Sequence, residues 1–153
     1  MPIKARKEQL VVPIKGLHYY YAKDLWQAGL LTESSLLKLE PEPDNPYDRY
    51  AVQVYLATDL KTTENTTEIA TEKPTKQPTP ATNLLGYLPR QNAPWSHYLL
   101  THHQIITVKI HQTKLSNHLP NVILIELTYT YKWWHRLLYP IWKLFHPQKR
   151  KIR

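Results

Sequence analysis

Short apolar runs with a period of two dominate the chain. They occur at Gln9 to Ile14, Ser35 to Leu39, Ala51 to Leu56, Leu84 to Leu88, Ile105 to Gln112 and Val122 to Tyr131. Most are rich in β-branched and aromatic residues, and several alternate, as in Ala51-Val52-Gln53-Val54-Tyr55, so each reads as a strand with one buried face. Two stretches carry helical signals instead. Lys23 to Ala28 is closed by Gly29, and in Asn92 to Thr101 a capping Asn92 is followed by Pro94 in the first turn. The pattern predicts an all-β fold with minor helices, built as a small antiparallel barrel or sandwich.

The alternation fails in two places. Between Thr58 and Asn83 the composition turns to Thr, Pro, Lys and Glu with almost no large apolar residue. Such a segment cannot bury enough surface to offset its ordering entropy. Residues 58–83 therefore read as a disordered insertion in a hairpin, tolerated because loop closure grows only logarithmically with length. The competing reading is an interaction loop that folds on binding. The second place is the tail, residues 130–153. On a helix, Trp134, Leu137, Leu138, Ile141 and Phe145 fall on one side and Lys132, Arg136 and Lys143 on the other, with Pro140 as a kink or a restart. Three readings stay open: a helix lying in a membrane interface, a segment tracking nucleic-acid phosphates, or a helix whose apolar side packs on the barrel. The predicted organisation is a barrel from residues 1–57 and 84–129, the insertion, and a basic amphipathic tail.

With 153 residues, the chain has room for one core. The absence of cysteine excludes disulfides and thiolate zinc sites, removes the commonest covalent nucleophile and fits a reducing compartment. The N-terminal apolar stretch is broken by Pro13 and Lys15, too short for a secretion signal, and no run reaches the roughly 20 apolar residues of a membrane span. An intracellular, soluble protein is expected. The net charge is +8, but the tail holds seven basic residues, Lys132, Arg136, Lys143, Lys149, Arg150, Lys151 and Arg153, and no acidic one. The remainder is nearly neutral (+8 less +7 leaves +1). Any site in the body must therefore use placed side chains and aromatic faces rather than a general positive field.

Glu42-Pro43-Asp44-Asn45-Pro46-Tyr47-Asp48 is dense in turn chemistry, with two prolines fixing φ and Asp and Asn side chains able to bond nearby backbone. By composition alone it is a rigid turn before a strand. Tyr47, however, offers a ring for stacking, and Asp48 an acceptor for a sugar hydroxyl, in fixed relation to each other. His18-Tyr19-Tyr20-Tyr21 follows Gly16. In an extended chain Tyr19 and Tyr21 would share one face, His18 and Tyr20 the other. Leu85-Gly86-Tyr87-Leu88-Pro89-Arg90 adds a glycine for close backbone approach and an arginine suited to phosphate, while Tyr87 alone reads equally well as a core aromatic.

These three motifs, in this order and with Ala51-Val52-Gln53-Val54 after the second, resemble the HIRAN domain over about Val11 to Leu127, insertion aside. The resemblance implies an OB-fold-like β-barrel that binds single-stranded DNA at a free 3′-hydroxyl end, as in fork-remodelling translocases. It implies that Asp48 accepts the 3′-hydroxyl with Asn45 bracing or sharing the contact. Tyr20 and Tyr47 would flank the end nucleotide, Tyr19 would lie near the backbone, and Arg90 near phosphate. His18 stands where an arginine reaches phosphate in the best-known member, so weaker phosphate contact is implied, and Tyr87 replaces a histidine. No GxxxxGK[ST] phosphate loop is present, so a freestanding module is expected.

Enzyme chemistry finds little support. Eight histidines form no HExxH pattern, the acidic residues cluster in the turn and the insertion, and there is no GxSxG elbow. A non-catalytic DNA-binding module without metal or cofactor is expected. Its partners would be single-stranded DNA or DNA 3′ ends and a separate helicase or nuclease. The alternative is an adaptor, protein-binding or membrane-peripheral, that uses its tail.

Overall fold

In the computed structural model, which describes residues 5–57 and 83–147, the chain runs β1 (Arg6–Pro13), α1 (Ala22–Gln27), β2 (Leu37–Pro41), β3 (Val52–Leu56), β4 (Leu84–Tyr87), α2 (Ala93–Thr101), β5 (Ile105–Ser116), β6 (Leu119–Tyr131) and α3 (Trp133–Phe145). Each strand and helix predicted from the alternation is present. The expected insertion lies outside the described residues except for Asn83, which corrects the boundary. Asn83 is buried, and its carbonyl accepts the Leu56 N–H at 2.9 Å, so it belongs to the folded domain.

Two antiparallel sheets form, in the orders β1-β6-β5 and β2-β3-β4. They meet along two seams, each a single bridge: Lys15 with Tyr87, and Leu36 with Lys109. The result is a partly open barrel, not a continuously hydrogen-bonded one. Inward positions at every second residue, such as Val52, Val54 and Leu56 on β3 and Ile123, Ile125 and Leu127 on β6, are buried and fill the space between the sheets. The β5-β6 hairpin is longer than the alternation suggests, with pairing continuing to Ser116 and Leu119. Asn117 and His118 close it with φ of 52° and 62°, the pair of positive values that a two-residue I′ turn requires.

The tail is a helix, and its contacts correct one expectation. A single helix passes through Pro140. Its apolar side does not pack on the barrel: Leu137, Leu138, Ile141, Leu144 and Phe145 are exposed. The docked side is aromatic and imidazole. The Tyr98 hydroxyl and His135 Nδ1 are hydrogen-bonded at 2.9 Å. The Tyr139 ring meets Trp95 edge-on at 4.9 Å, and Trp142 lies 5.4 Å from Tyr98 and 5.5 Å from Tyr50. At the helix start, Arg136 sits over the Tyr131 ring and within 3.5 Å of Glu8, which also accepts from the Tyr131 hydroxyl at 2.7 Å. None of the described helices is long and apolar enough to cross a membrane.

Candidate nucleic-acid interface

The loop between β2 and β3 is closed on itself before it does anything else. Glu42 N–H donates to the Ala51 carbonyl at 2.8 Å and Ala51 N–H to the Asp48 carbonyl at 3.0 Å, so the excursion from Glu42 to Ala51 starts and ends on the same hairpin. Inside it Asn45 acts as a plug. Its Oδ1 accepts the backbone N–H groups of Tyr47 at 2.9 Å and Asp48 at 3.0 Å, and its Nδ2 donates to Glu42 Oε2 at 2.7 Å. Asp48 Oδ1 in turn accepts the Tyr50 N–H at 3.0 Å. Both asparagine groups are thus engaged in turn bonds, the bracing role among those its family resemblance suggests.

The brace extends into the sheet. The Tyr87 hydroxyl donates to Glu42 Oε2 at 2.9 Å and accepts from Gln53 Nε2 at 3.1 Å, and Gln53 Oε1 accepts the Tyr55 hydroxyl at 2.8 Å. A continuous relay therefore links β3, β4 and the loop backbone at Tyr47 and Asp48. Burial first, and then the neighbouring Glu42 carboxylate, push the Tyr87 phenol up to about 12, against the opposing bond from Gln53, so it stays a donor. Glu42 and Gln53 were legible only as members of the turn and the strand. Their role appears once β4 is paired to β3.

Two glycines bring the walls together. Gly16 has φ of +84° and lets the chain turn so that Tyr19 N–H bonds the Gly16 carbonyl at 2.9 Å. The His18 to Tyr21 stretch is therefore a turn, not the extended segment whose faces the sequence suggested. Tyr20 swings toward Tyr87, ring centres 5.7 Å apart, and Tyr21 precedes α1. Gly86 sits against Lys15, where an added Cβ would lie 2.2 Å from the Lys15 carbonyl oxygen. Only glycine permits the paired Lys15–Tyr87 bonds of 2.8 and 2.9 Å that close this seam.

The outcome is an open cleft of about 790 Å³ lined by Lys15, Tyr20, Asn45, Tyr47, Asp48, Tyr87 and Arg90, with prolines 13, 46 and 89 and Gln91 among the rest of its wall. Six of the eight sequence-predicted body residues are brought together. His18 and Tyr19 are not in the lining; both are exposed on the turn after Gly16, Tyr19 to 85%. Lys15 is the lining cation that the sequence reading passed over. A lone lysine between Ile14 and Gly16 gives no signal until the bridge to Tyr87 places it at the cleft. Tyr47 stands at the lip of the cleft, 67% exposed. Of the tail cations, Lys132, Arg136 and Lys143 lie on or beside α3, away from the lining, while Lys149, Arg150, Lys151 and Arg153 fall outside the described residues. Among the described residues no three His, Asp or Glu side chains are grouped to hold a metal ion.

Comparison with known proteins agrees with this geometry. No curated protein matches the sequence. The fold is similar to the crystal structure of the HIRAN domain of human HLTF, with a TM-score of 0.52 at 16% identity, covering 91% of this chain and 88% of that one. The family description "HIRAN domain" matches residues 7–129, which takes in all but the outermost residues of the two sheets and all three cleft motifs. The chain belongs to the HIRAN domain family, a family of OB-fold-like DNA-binding modules.

Proposed function

We propose that the cleft takes the free 3′-hydroxyl end of single-stranded DNA, and that the chain works by binding rather than catalysis, inside the cell, in DNA repair or replication-fork processing beside a separate helicase or nuclease. One observation carries the reading. An acceptor carboxylate (Asp48), a lip aromatic (Tyr47) and two wall aromatics (Tyr20, Tyr87) line one cleft with the cations Lys15 and Arg90. That set matches an end nucleotide: a ring to stack on the base, an acceptor for the sugar hydroxyl, and cations for the preceding phosphate. Asp48 receives the 3′-hydroxyl, Tyr47 stacks, Tyr20 flanks, and Arg90 with Lys15 meets phosphate, taking over from the exposed His18.

The same set explains end selectivity. A 3′-phosphate would bring its charge against Asp48 and remove the donated hydrogen bond. Loss of a charge-assisted bond of about 1.5–3 kcal/mol predicts roughly ten- to hundredfold weaker binding. The test is fluorescence anisotropy with oligonucleotides ending in 3′-hydroxyl or 3′-phosphate, for wild type and Asp48→Ala, at two salt concentrations. Wild type should prefer the hydroxyl end at both salts, and Asp48→Ala should lose the preference. Equal wild-type affinity for the two ends refutes the assignment.

A further inference from the structure

Helix α3 presents three arcs around its axis, and the domain uses two of them, an aromatic one and, through Arg136 on Glu8 and Tyr131, a basic one. His135, Tyr139 and Trp142, spaced four and three residues apart, make the docked arc against α2 and Tyr50, with His146 just past the helix end stacked on Trp142. Arg136 and Lys143 make a narrow basic arc beside it. The remaining arc, Trp133, Leu137, Leu138, Ile141, Leu144 and Phe145, is exposed, Leu144 to 78% and Phe145 to 77%. Single exposed apolar residues are ordinary. Six on one side of a 13-residue helix are not.

We infer that this outer arc seats in the interface of an anionic lipid bilayer, with α3 lying in the membrane plane and holding the domain against the surface. Three observations select lipid as the occupant. Thirteen residues make a helix of about 20 Å, too short to span the hydrocarbon core, so burial of the arc is in-plane. From Leu127 to the end the sequence holds seven Lys and Arg and no acidic residue, and Lys132 lies with its Nζ 4.8 Å from the Trp134 ring centre, an amphipathic pair suited to the headgroup layer. The docked arc already faces the domain, so the apolar arc cannot be buried there. A second copy placed on the arc would bring two basic edges together with no acidic residue on α3 to balance them. Nucleic acid would use the cations but leave the aliphatic side chains without a complement.

The test is co-sedimentation of the full chain with phosphatidylcholine vesicles, with and without phosphatidylglycerol. Wild type should bind the anionic vesicles and bind the neutral ones weakly. Leu137→Glu/Ile141→Glu, two exposed positions, should lower the apparent partition coefficient by about tenfold or more, while oligonucleotide affinity and melting temperature stay unchanged. Lys143→Glu should selectively reduce the anionic preference. No vesicle binding by wild type, equal binding to both vesicle types, or full binding by the double variant overturns the inference. So does self-association, or loss of oligonucleotide binding, that tracks the double variant when vesicles do not bind; the arc would then belong to a second copy or to nucleic acid.

Discussion

Replacing Gly86 by alanine should open the barrel at the wall of the cleft, and the size of the effect follows from the local geometry. The new Cβ would stand 2.2 Å from the Lys15 carbonyl oxygen and 2.7 Å from Ile14 Cγ2. A carbon and a carbonyl oxygen rest at about 3.3 Å, so the strands must part by about 1 Å. That separation breaks the two Lys15–Tyr87 hydrogen bonds, 2.8 and 2.9 Å long, which form the bridge at this seam. Two net backbone bonds contribute about 2 kcal/mol. An alanine held at the +154° φ of Gly86 adds about 1–2 kcal/mol of strain. Restricting the unfolded chain returns about 0.5–1 kcal/mol, leaving a destabilisation of about 3 kcal/mol. At roughly 3 °C per kcal/mol, the melting temperature should fall by about 9 °C. Circular dichroism melts of wild type and Gly86→Ala measure it, with oligonucleotide anisotropy below both transitions reporting on the cleft. A variant that melts within about 2 °C of wild type would show that the seam yields without loss, and the reasoning from contact distance would be wrong.

Three further outcomes follow from the same contacts. Tyr87→Phe removes the donor to Glu42 and the acceptor of Gln53 with little change in shape, and should destabilise by about 1–2 kcal/mol in denaturant titration while weakening oligonucleotide binding, because the half-buried carboxylate keeps the Asn45 bond but loses the Tyr87 one; unchanged affinity would mean the loop holds its shape through Asn45 alone. Trp142→Ala should undock α3 at a cost of about 2 kcal/mol, less than full burial because the ring is only half-buried, and hydrogen exchange should quicken in α3 and at Tyr50 while the β6 core stays protected. Burial holds the His97 and His135 imidazoles below their ordinary 6.5, and the Tyr131 hydroxyl bond, the largest cause, holds the Glu8 carboxyl below 4.5. For all three the unfolded chain takes up its proton first, so their stability is present above the unfolded values. The histidine part is lost as pH falls below about 6.5 and the glutamate part below about 4.5, and tryptophan fluorescence against pH should show α3 loosening in the first window.

What the sequence revealed, and what it hid, divides along physical lines. Strand positions were legible because burial on one face imposes a period of two, and β3 shows it cleanly from Val52 to Leu56. The site turn was legible because proline, asparagine and aspartate are used there for their local bonds, and Asn45 makes the bonds its chemistry suggests. Long-range partners were not legible. Lys15 becomes part of the cleft only through a bridge to a residue 72 positions later, and Glu42 meets Tyr87 across 45. The hairpin tip Asn117-His118 lacks the glycine that marks most I′ turns, so the pairing beyond Gln112 went unseen. On α3, the one reading that docked the apolar side on the barrel picks the wrong face. Leucines and isoleucine outrank histidine and tyrosine on any transfer scale, yet α2 offers Trp95, Tyr98 and His102, whose rings and polar edges match aromatic partners carrying a hydrogen bond.

That docking face ties the tail to the site through one residue. Tyr50 is buried directly behind the loop: its backbone N–H holds Asp48 Oδ1, and its ring packs 5.5 Å from Trp142. Arg49, between them in sequence, reaches the Pro147 carbonyl at 3.5 Å, just past the end of α3. The carboxylate proposed to read the DNA end is thus held from the cleft side by the Asn45 turn and from behind by a residue clamped under α3. A force on α3, from lipid or any other occupant of its outer arc, would reach Tyr50 through Trp142, as well as the sheets through Arg136 on Glu8 and Tyr131. The Asp48–Tyr50 bond, 3.0 Å long, is therefore one route by which a partner on the outer arc would reach DNA affinity.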